Sequence, residues 1–212
     1  MVAEHHDGGV IESLRLRIRG AREDDAHALS QMMSARISAR LASWPEDMTP
    51  GMALERVARD LAQPQRIAPM VMELRDGGEV CGWMSVARLP EEPGCGVLTY
   101  WLGEAHHGRG LMREAAPLAV RHVFRRMRLE RLRAAVQLDN TSSIAVLSAA
   151  GMRYLGPGRI WCSARLREES CLWYEVDRAT ALGGEIAIRH SESVADGENA
   201  MHGGDRAGVP ER

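Results

Sequence analysis

Two glycines flank an arginine in the segment Gly108–Gly110, between an apolar run typical of a strand and a longer run with helical periodicity. The first amides of a helix lack acceptors within the helix and carry partial positive charge, so they bind phosphate well. Glycines let a diphosphate approach the backbone closely, and the guanidinium of Arg109 adds a charged donor. The spacing predicts an anion-binding loop, although a strand-to-helix turn that needs positive φ would select the same glycines.

The loop differs from the two common nucleotide-binding motifs. A GxGxxG pattern would require glycine where the chain has Arg113, and a P-loop requires a lysine, which the chain lacks. The preceding strand also belongs to a series of hairpins and not to a β-α-β unit. Neither a Rossmann fold nor a P-loop fold is therefore expected.

Hydrophobic periodicity predicts the elements that position this loop. The expected order is β-α-α-β-β-β-α-β-α-β-β, with a hairpin turn at residues 76–78 and a polar helix start, NTSS, at residues 140–143. Strands are predicted at 14–19, on both sides of the hairpin turn, and at 95–102, 131–138, 159–166 and 170–176. Helices are predicted within 23–36, 52–62, 109–127 and 140–151.

Composition restricts the possible partners and the compartment. The 212 residues carry a formal charge of -2, which gives no general attraction to nucleic acid or to anionic membranes. The four cysteines show no CxxC spacing, no apolar run approaches the ~20 residues of a membrane span, and the N-terminus is polar. We expect a cytoplasmic protein with one domain at residues 12–180, a flexible leader at 1–11 and a disordered tail at 181–212. His5 and His6 in the leader do not suffice for a metal site, so no metal is expected.

The segments YWLGEAHHGRGLMREA and LERLRAAVQLDNTSSIAVLSAAGMRYLG resemble the GNAT superfamily of N-acetyltransferases, most closely its RimJ/RimL-like branch. The resemblance covers about residues 14–176. It implies an α/β fold with a mixed, mostly antiparallel sheet of six to seven strands and four helices. It also implies an acyltransferase that moves the acetyl group of acetyl-CoA to a primary amine, on a protein N-terminus or a small molecule, as a monomer or homodimer.

The same resemblance implies where acetyl-CoA binds. Backbone groups near Leu102 would pair with the pantetheine arm, and the Leu102 N–H would polarise the thioester carbonyl. Asn140 would face the pantetheine or the thiol end. The amides of the phosphate loop would hold the pyrophosphate, namely those of His107, Gly108, Arg109, Gly110, Leu111 and Met112. His106 and His107 would serve binding and not catalysis.

Several side-chain roles stay open at the level of sequence. Ser143 matches the serine that the branch uses as proton donor or orienter near the CoA sulfur, but capping of the helix start is an equal alternative. Glu104 and Glu73 are candidate bases, each of which is more commonly a solvated carboxylate. Trp44 lies where the branch builds one wall of the acceptor cleft, although burial of the ring would also explain it.

Two other functions fit parts of the sequence. Eight arginines between residues 109 and 133 would suit a nucleic-acid-binding face. Against that function, Glu114 and Glu130 interrupt the run and no aromatic residues alternate with the arginines for base stacking. A GNAT-shaped sensor that binds acyl-CoA without transferring the acyl group is the second alternative. The expected partners remain acetyl-CoA and an amine, without nucleic acid or membrane.

Overall fold

An eight-stranded sheet forms the centre of the protein in a computed structural model that describes residues 9–183. The strands are β1 (Ile11–Glu12), β2 (Leu16–Gly20), β3 (Ile67–Leu74), β4 (Val80–Arg88), β5 (Cys95–Leu102), β6 (Arg131–Val136), β7 (Arg153–Cys162) and β8 (Arg167–Asp177). The helices are α1 (Ala26–Met32), α2 (Ala35–Ser38), α3 (Pro50–Leu61), α4 (Leu111–Met127) and α5 (Thr141–Ala149), and residues 178–183 are also helical. In space the strands follow the order β1-β2-β3-β4-β5-β6-β8-β7.

The predicted fold class is confirmed, and the predicted element order is kept with small additions. The sheet has eight strands and not six to seven, because two residues before β2 form β1 and pair antiparallel with it. The helix α2 was not predicted because its four residues are too few to show a period. Ser34 begins it, since its hydroxyl accepts from the Ile37 amide at 3.3 Å.

The strand predicted at residues 159–166 was misplaced. The strand β7 begins at Arg153 and residues 163–166 form a turn. The strand β7 contains two glycines and a proline, which it tolerates because it lies at the edge of the sheet. A Cβ at Gly158 would lie 2.5 Å from the ring of Trp173, so the close approach of that ring requires glycine.

The pairing of β5 with β6 is the one parallel contact among the strands of the described chain, and it is short. Paired positions run from Cys95↔Arg131 to Val97↔Arg133. Beyond them β5 continues to Leu102 on β4, and β6 continues to Val136 on β8. The two strands therefore diverge and leave an opening in the sheet, which we call the splay.

The core lies on both faces of the sheet. One hydrophobic cluster packs α4 and α5 against the strands, and it includes Met152 at a position where the resembled family usually has phenylalanine. The other cluster packs α1 and α3 around three tryptophans, Trp44, Trp83 and Trp101. The splay, as an opening in the sheet, lies between these two hydrophobic layers.

The expected leader and tail fall mostly outside the described residues, since positions 1–8 and 184–212 are not among them. Of the part that is described, Ile11 pairs with Ile18, and residues 181–183 continue a helix. No helix within residues 9–183 has the length and apolar character needed to cross a membrane.

Candidate functional site

The open edge of β5 presents backbone groups to the splay. The Gly103 amide donates to the Cys81 carbonyl at 3.0 Å, which marks a hydrogen-bonded position of the antiparallel pair β4–β5. Because such positions alternate with positions whose backbone groups point away from the partner strand, the register Gly82↔Leu102 turns the N–H and C=O of Leu102 away from β4. The backbone groups of Tyr100 point the same way. Both residues therefore face the side from which β6 has diverged.

The phosphate loop adopts the backbone that its glycines permit. Gly108 and Gly110 have φ values of 71° and 73°, so the turn itself requires glycine, as the simpler of the two explanations proposed. A Cβ at Gly108 would meet no atom within 4 Å, and one at Gly110 would lie 3.7 Å from Nη2 of Arg15. Space in front of Gly108 is thus open to a ligand.

Five consecutive amides at this loop lack a hydrogen-bond acceptor in the part of the chain that the structure describes. Within residues 9–183, the amides of residues 108–112 donate to no acceptor, while the regular helical ladder begins with the Glu114 amide and the Gly110 carbonyl at 3.2 Å. The side chains of Leu111 and Met112 are buried in the core, which fixes the first turn of α4. The arrangement can bind an anion of the size of a diphosphate.

His107 departs from its predicted role. Its amide donates to the Glu104 carbonyl at 3.1 Å and is therefore already engaged. Its ring Nε2 lies 2.9 Å from the Leu102 carbonyl, and because a carbonyl only accepts, Nε2 carries the proton. His107 thus ties the loop to the end of β5. His106 is buried, with Nδ1 3.5 Å from Nη1 of Arg109.

A polar clamp holds the loop from the side of β2. The guanidinium of Arg15 donates to the Arg109 carbonyl at 2.7 Å and to Glu114 Oε2 at 2.7 Å. Glu114 Oε1 accepts from the Ser13 hydroxyl at 2.7 Å. Burial opposes ionisation of Glu114, but the bonds from Ser13 and Arg15 outweigh it and lower its pKa. The negative charge at the start of α4 is therefore retained.

The start of α5 shows which residue caps the helix, a point that the sequence left open for Ser143. The Oδ1 atom of Asn140 accepts from the Ser143 amide at 3.1 Å, so Asn140 is the N-cap. The Ser143 hydroxyl does not cap the helix. It lies 2.6 Å from the hydroxyl of Tyr100, whose oxygen is also 3.2 Å from the Ser143 carbonyl oxygen, and the single phenolic proton can go to one of these two acceptors.

Tyr100 is the polar residue of the site that sequence reasoning missed. Its ring lies on the face of β5 that packs against α4 and α5, where it reaches across the splay to α5. Burial raises its pKa to about 12, against the smaller lowering effect of the bond with Ser143. The signal in the sequence was a lone tyrosine in a strand that ends beside the loop, which also fits simple packing.

A groove lined by charged and apolar residues lies next to the wide end of the splay. It has a volume of about 550 Å³ and is lined by Arg36, Ala39, Arg40, Gln137, Leu138, Asp139 and Ser170. Arg40 donates to Asp139 at 2.5 Å and to Gln137 at 2.9 Å. The charged residues of the groove thus come from α2 and the residues just after α2 on one side, and from the segment after β6 on the other.

Glu104 lies between the loop and this groove. Its carboxylate accepts from the Ser34 hydroxyl at 2.5 Å and from Arg36 at 3.3 Å. The bond from Ser34, followed by the charge of Arg36, lowers the pKa of Glu104. A carboxylate with a lowered pKa is a weaker proton acceptor, so this environment suits electrostatic binding better than base catalysis.

Two other candidates lie away from the splay. Glu73 is on β3 and accepts from Arg19 at 2.7 Å in an ion cluster with Asp25. Trp44 is fully buried, with ring centroids 5.4 Å from Trp83 and 5.1 Å from Trp101. Its ring forms part of the core, as the burial alternative predicted, and offers no face to a substrate in this conformation.

Metal ligands are not clustered in the described chain. Within residues 9–183, no three side chains of His, Cys, Asp or Glu come together in a group that could hold a metal ion. The four cysteines are buried free thiols.

Comparison with known proteins agrees with this geometry. A family profile described as an acetyltransferase (GNAT) domain matches residues 15–153. The probable N-acetyltransferase YjcK of Bacillus subtilis (strain 168) is 40% identical over 60 residues, which are 28% of this chain and 33% of that protein. The matched stretch thus spans about a third of YjcK. The uncharacterized N-acetyltransferase p20 of Bacillus licheniformis is 25% identical over 144 residues, 67% of this chain and 81% of that protein.

A solved structure shares the fold. RimL, a ribosomal L7/L12 alpha-N-protein acetyltransferase in complex with coenzyme A, aligns with a TM-score of 0.69 at 22% identity. The alignment covers 79% of this chain and 97% of that one.

Proposed function

The chain belongs to the GNAT acetyltransferase family, and from that membership we propose that it transfers the acetyl group of acetyl-CoA to a primary amine by direct attack within a ternary complex. The observation that carries the proposal is the splay, where β5 offers unpaired backbone groups beside five free amides at the start of α4. An extended amide-bearing chain that ends in a diphosphate matches both features. Coenzyme A has that composition.

We assign the parts of coenzyme A to this chain by their chemistry. The pantetheine amides would pair with the open edge of β5 near Leu102, and the pyrophosphate would bind the amides of residues 108–112 with help from Arg109. Asn140 has its Oδ1 engaged in capping, and its side-chain NH₂ group is left for the pantetheine. His107 contributes through its ring, which holds the Leu102 carbonyl, and not through its amide.

Acetyl-CoA supplies the activated acetyl group, and the chain supplies orientation and hydrogen bonds. The Leu102 N–H would donate to the carbonyl oxygen as negative charge grows there, and a donor of this kind contributes about 2.7–4 kcal/mol to the barrier reduction. Glu104 would attract the acceptor amine through its charge. The amine proton would pass to water, because the lowered pKa of Glu104 disfavours its uptake there.

The lack of an assigned general base favours an acceptor of low pKa. An α-amino group titrates near pH 7.7–8.0, so about a third of it is neutral at pH 7.5, whereas only about 0.1% of an alkyl amine of the lysine type is neutral. The groove beside α2 is open and is lined by charged side chains of both signs, which suits the charged end of a peptide. We therefore propose a protein N-terminal α-amino group as the acceptor, with small-molecule amines as the second class.

The proposal is tested in two steps. Calorimetry with CoA should show binding, and a thiol-release assay with acetyl-CoA should show turnover with N-terminal peptides. The panel also contains polyamines and aminoglycosides, and the matched control is the same peptide with a blocked N-terminus and an internal lysine. Failure to bind CoA would refute the proposal. Binding without thiol release from any amine would instead indicate a sensor that holds acyl-CoA.

A further inference from the structure

The hydroxyls of Tyr100 and Ser143 form a pair at the site whose role the proposed function does not explain. Their oxygens are 2.6 Å apart, although the residues lie 43 positions apart in the sequence and belong to β5 and α5. Ser143 is on the first turn of α5, which follows the end of β6, and so lies at the wide end of the splay. Asn140 already provides the cap, so the hydroxyl of Ser143 has no other task in the helix.

The direction of the hydrogen bond follows from the acidity of the two groups. A phenol is a stronger donor than an aliphatic hydroxyl, so Tyr100 O–H donates and Ser143 Oγ accepts in the preferred arrangement. Ser143 then keeps its own proton free for a third group. The alternative, in which Tyr100 donates to the Ser143 carbonyl at 3.2 Å, is the longer bond.

Tyr100 is suited to remain a neutral donor. Burial raises its pKa to about 12, while an ordinary thiol titrates near 8.5. A thiolate is therefore too weak a base to remove the phenolic proton, directly or through Ser143. Transfer of the Tyr100 proton to the thiolate is therefore unfavourable. A fixed hydrogen bond from Tyr100 requires no proton transfer.

We propose that the Tyr100 hydroxyl holds the Ser143 hydroxyl in the orientation that donates a hydrogen bond to the sulfur of CoA as it leaves. This inference rests on the proposed acetyl transfer and makes Tyr100 a positioning residue for Ser143. In the reaction a C–N bond forms between the amine and the acetyl carbon, and the C–S bond breaks with its electron pair on sulfur. The amine proton passes to water, and the thiolate later takes a proton from water.

A double-mutant cycle tests whether Tyr100 acts through Ser143. Ser143→Ala should lower kcat about 100-fold, as loss of one well-placed donor does. Tyr100→Phe, which keeps the ring, should lower kcat about fivefold to tenfold with the KM for acetyl-CoA unchanged. In the Ser143→Ala background Tyr100→Phe should have no further effect on kcat, because the hydroxyl that it orients is gone.

Tyr174→Phe is the matched control, because Tyr174 is a buried tyrosine on β8 without a bond to Ser143. It should leave kcat unchanged. The inference is wrong if Tyr100→Phe lowers kcat equally in both backgrounds, or if it raises the KM for acetyl-CoA and leaves kcat intact. Either result would make Tyr100 a brace between β5 and α5.

A second measurement needs no acceptor. The thiol of bound CoA is titrated by its ultraviolet thiolate absorbance, with the protein in complex with desulfo-CoA as the reference that subtracts tyrosine and cysteine signals. A donor to sulfur stabilises the thiolate, so Tyr100→Phe and Ser143→Ala should each reduce the thiolate fraction at a given pH about threefold to tenfold. An unchanged fraction in both variants would overturn the inference. Failure of every acceptor in the panel would refute the proposed function and leave this titration as the test of the pair.

Discussion

Two groups of polar atoms, one of charged side chains on the β2 side of the sheet and one of backbone amides at the splay, differ in whether their members have hydrogen-bond partners. In the Arg19 cluster, formed by Arg19, Asp25 and Glu73, the guanidinium donates to Asp25 at 2.7 and 2.9 Å and to Glu73 at 2.7 Å. At the splay, the Leu102 N–H and the amides of residues 108–112 have no partner within residues 9–183. Buried polar groups that are fully paired maintain a structure, while convergent unpaired donors are available to a ligand.

The comparison also separates the two carboxylates that the sequence offered as bases. The Glu73 side chain is 13% exposed and bonded to Arg19, so its charge is balanced inside the Arg19 cluster. Glu104 is exposed beside the loop, where Ser34 and Arg36 leave part of its carboxylate open to solvent. Carboxylates with equal standing in the sequence thus differ because of what the fold places next to them.

The largest expected effect is on stability and comes from the Arg19 cluster. Arg19→Met would leave the buried carboxylate of Asp25 and the partly buried carboxylate of Glu73 together without a cation, and it should lower the free energy of unfolding by about 3–5 kcal/mol. Arg17→Met is the matched control on the same strand, since the Arg17 side chain is 51% exposed against 10% for Arg19, and it should cost less than about 1 kcal/mol. Urea denaturation measures both. If both variants lost the same free energy of unfolding, burial of the Arg19 cluster would make no difference to stability.

The next effect is on CoA affinity and comes from the loop. Gly108→Val should weaken CoA binding by more than about 100-fold, because the side chain fills the space before the free amides and two or more charge-assisted bonds are lost. Gly78→Val is the matched control. Gly78 has a φ of 69°, close to the 71° of Gly108, and a Cβ there also meets no atom within 4 Å.

Both glycine variants carry the same backbone strain, so they should lose similar stability. Only Gly108→Val should lose CoA, as calorimetry at a temperature where both are folded will show. If the two variants bound CoA equally well, the loop would be a turn without a binding role.

The loop was predictable because its function depends on the backbone. Glycine adopts positive φ more readily than other residues, so Gly108 and Gly110 indicate that backbone conformation from the sequence alone. The helical period of the residues that follow places both glycines at the start of α4. The splay was implied only by resemblance, since its cause is the point where β5 and β6 diverge after Val97 and Arg133. No local pattern encodes that point.

Side-chain partnerships were harder to predict because they depend on distant packing. Tyr100 looked like one more alternating residue of a strand, and its bond to Ser143 exists only because α5 packs beside β5. Trp44 lies in a loop rich in proline, yet it is buried under Arg56, whose guanidinium is 4.5 Å from its ring. The sequence predicted Trp44 as a candidate and assigned no role to Tyr100, and it did not indicate the neighbours of either residue.

A smaller effect on stability should show whether Asn140 caps α5, apart from any role in binding. Asn140→Ala should lower the free energy of unfolding by about 1 kcal/mol, because the Ser143 amide loses its acceptor, while Asn140→Asp should retain most of the stability. Thermal unfolding of the three proteins without ligand measures this. If the alanine variant were as stable as the parent, Asn140 would have no capping role, and its assignment to the pantetheine would be its main one.

The smallest expected effect is the pH dependence contributed by Glu114, at the boundary between the paired and unpaired regions. Its carboxylate is itself paired with Ser13 and Arg15, yet it fixes the loop whose amides are free. Because its folded-state pKa lies below the ordinary value of 4.5, the unfolded chain binds more protons in that range and stability rises with pH. The contribution is complete above about pH 4.5 and is lost as pH falls through the lower folded-state pKa.

Glu114→Gln should therefore flatten the acid limb of the stability curve by no more than about 1 kcal/mol, since the side chain is only partly buried. Urea denaturation between pH 3 and pH 7 compares the two proteins. An unchanged acid limb would mean that Glu114 binds protons equally in both states. In that case the loop would be positioned by the buried side chains of α4, and the clamp from Arg15 would be dispensable.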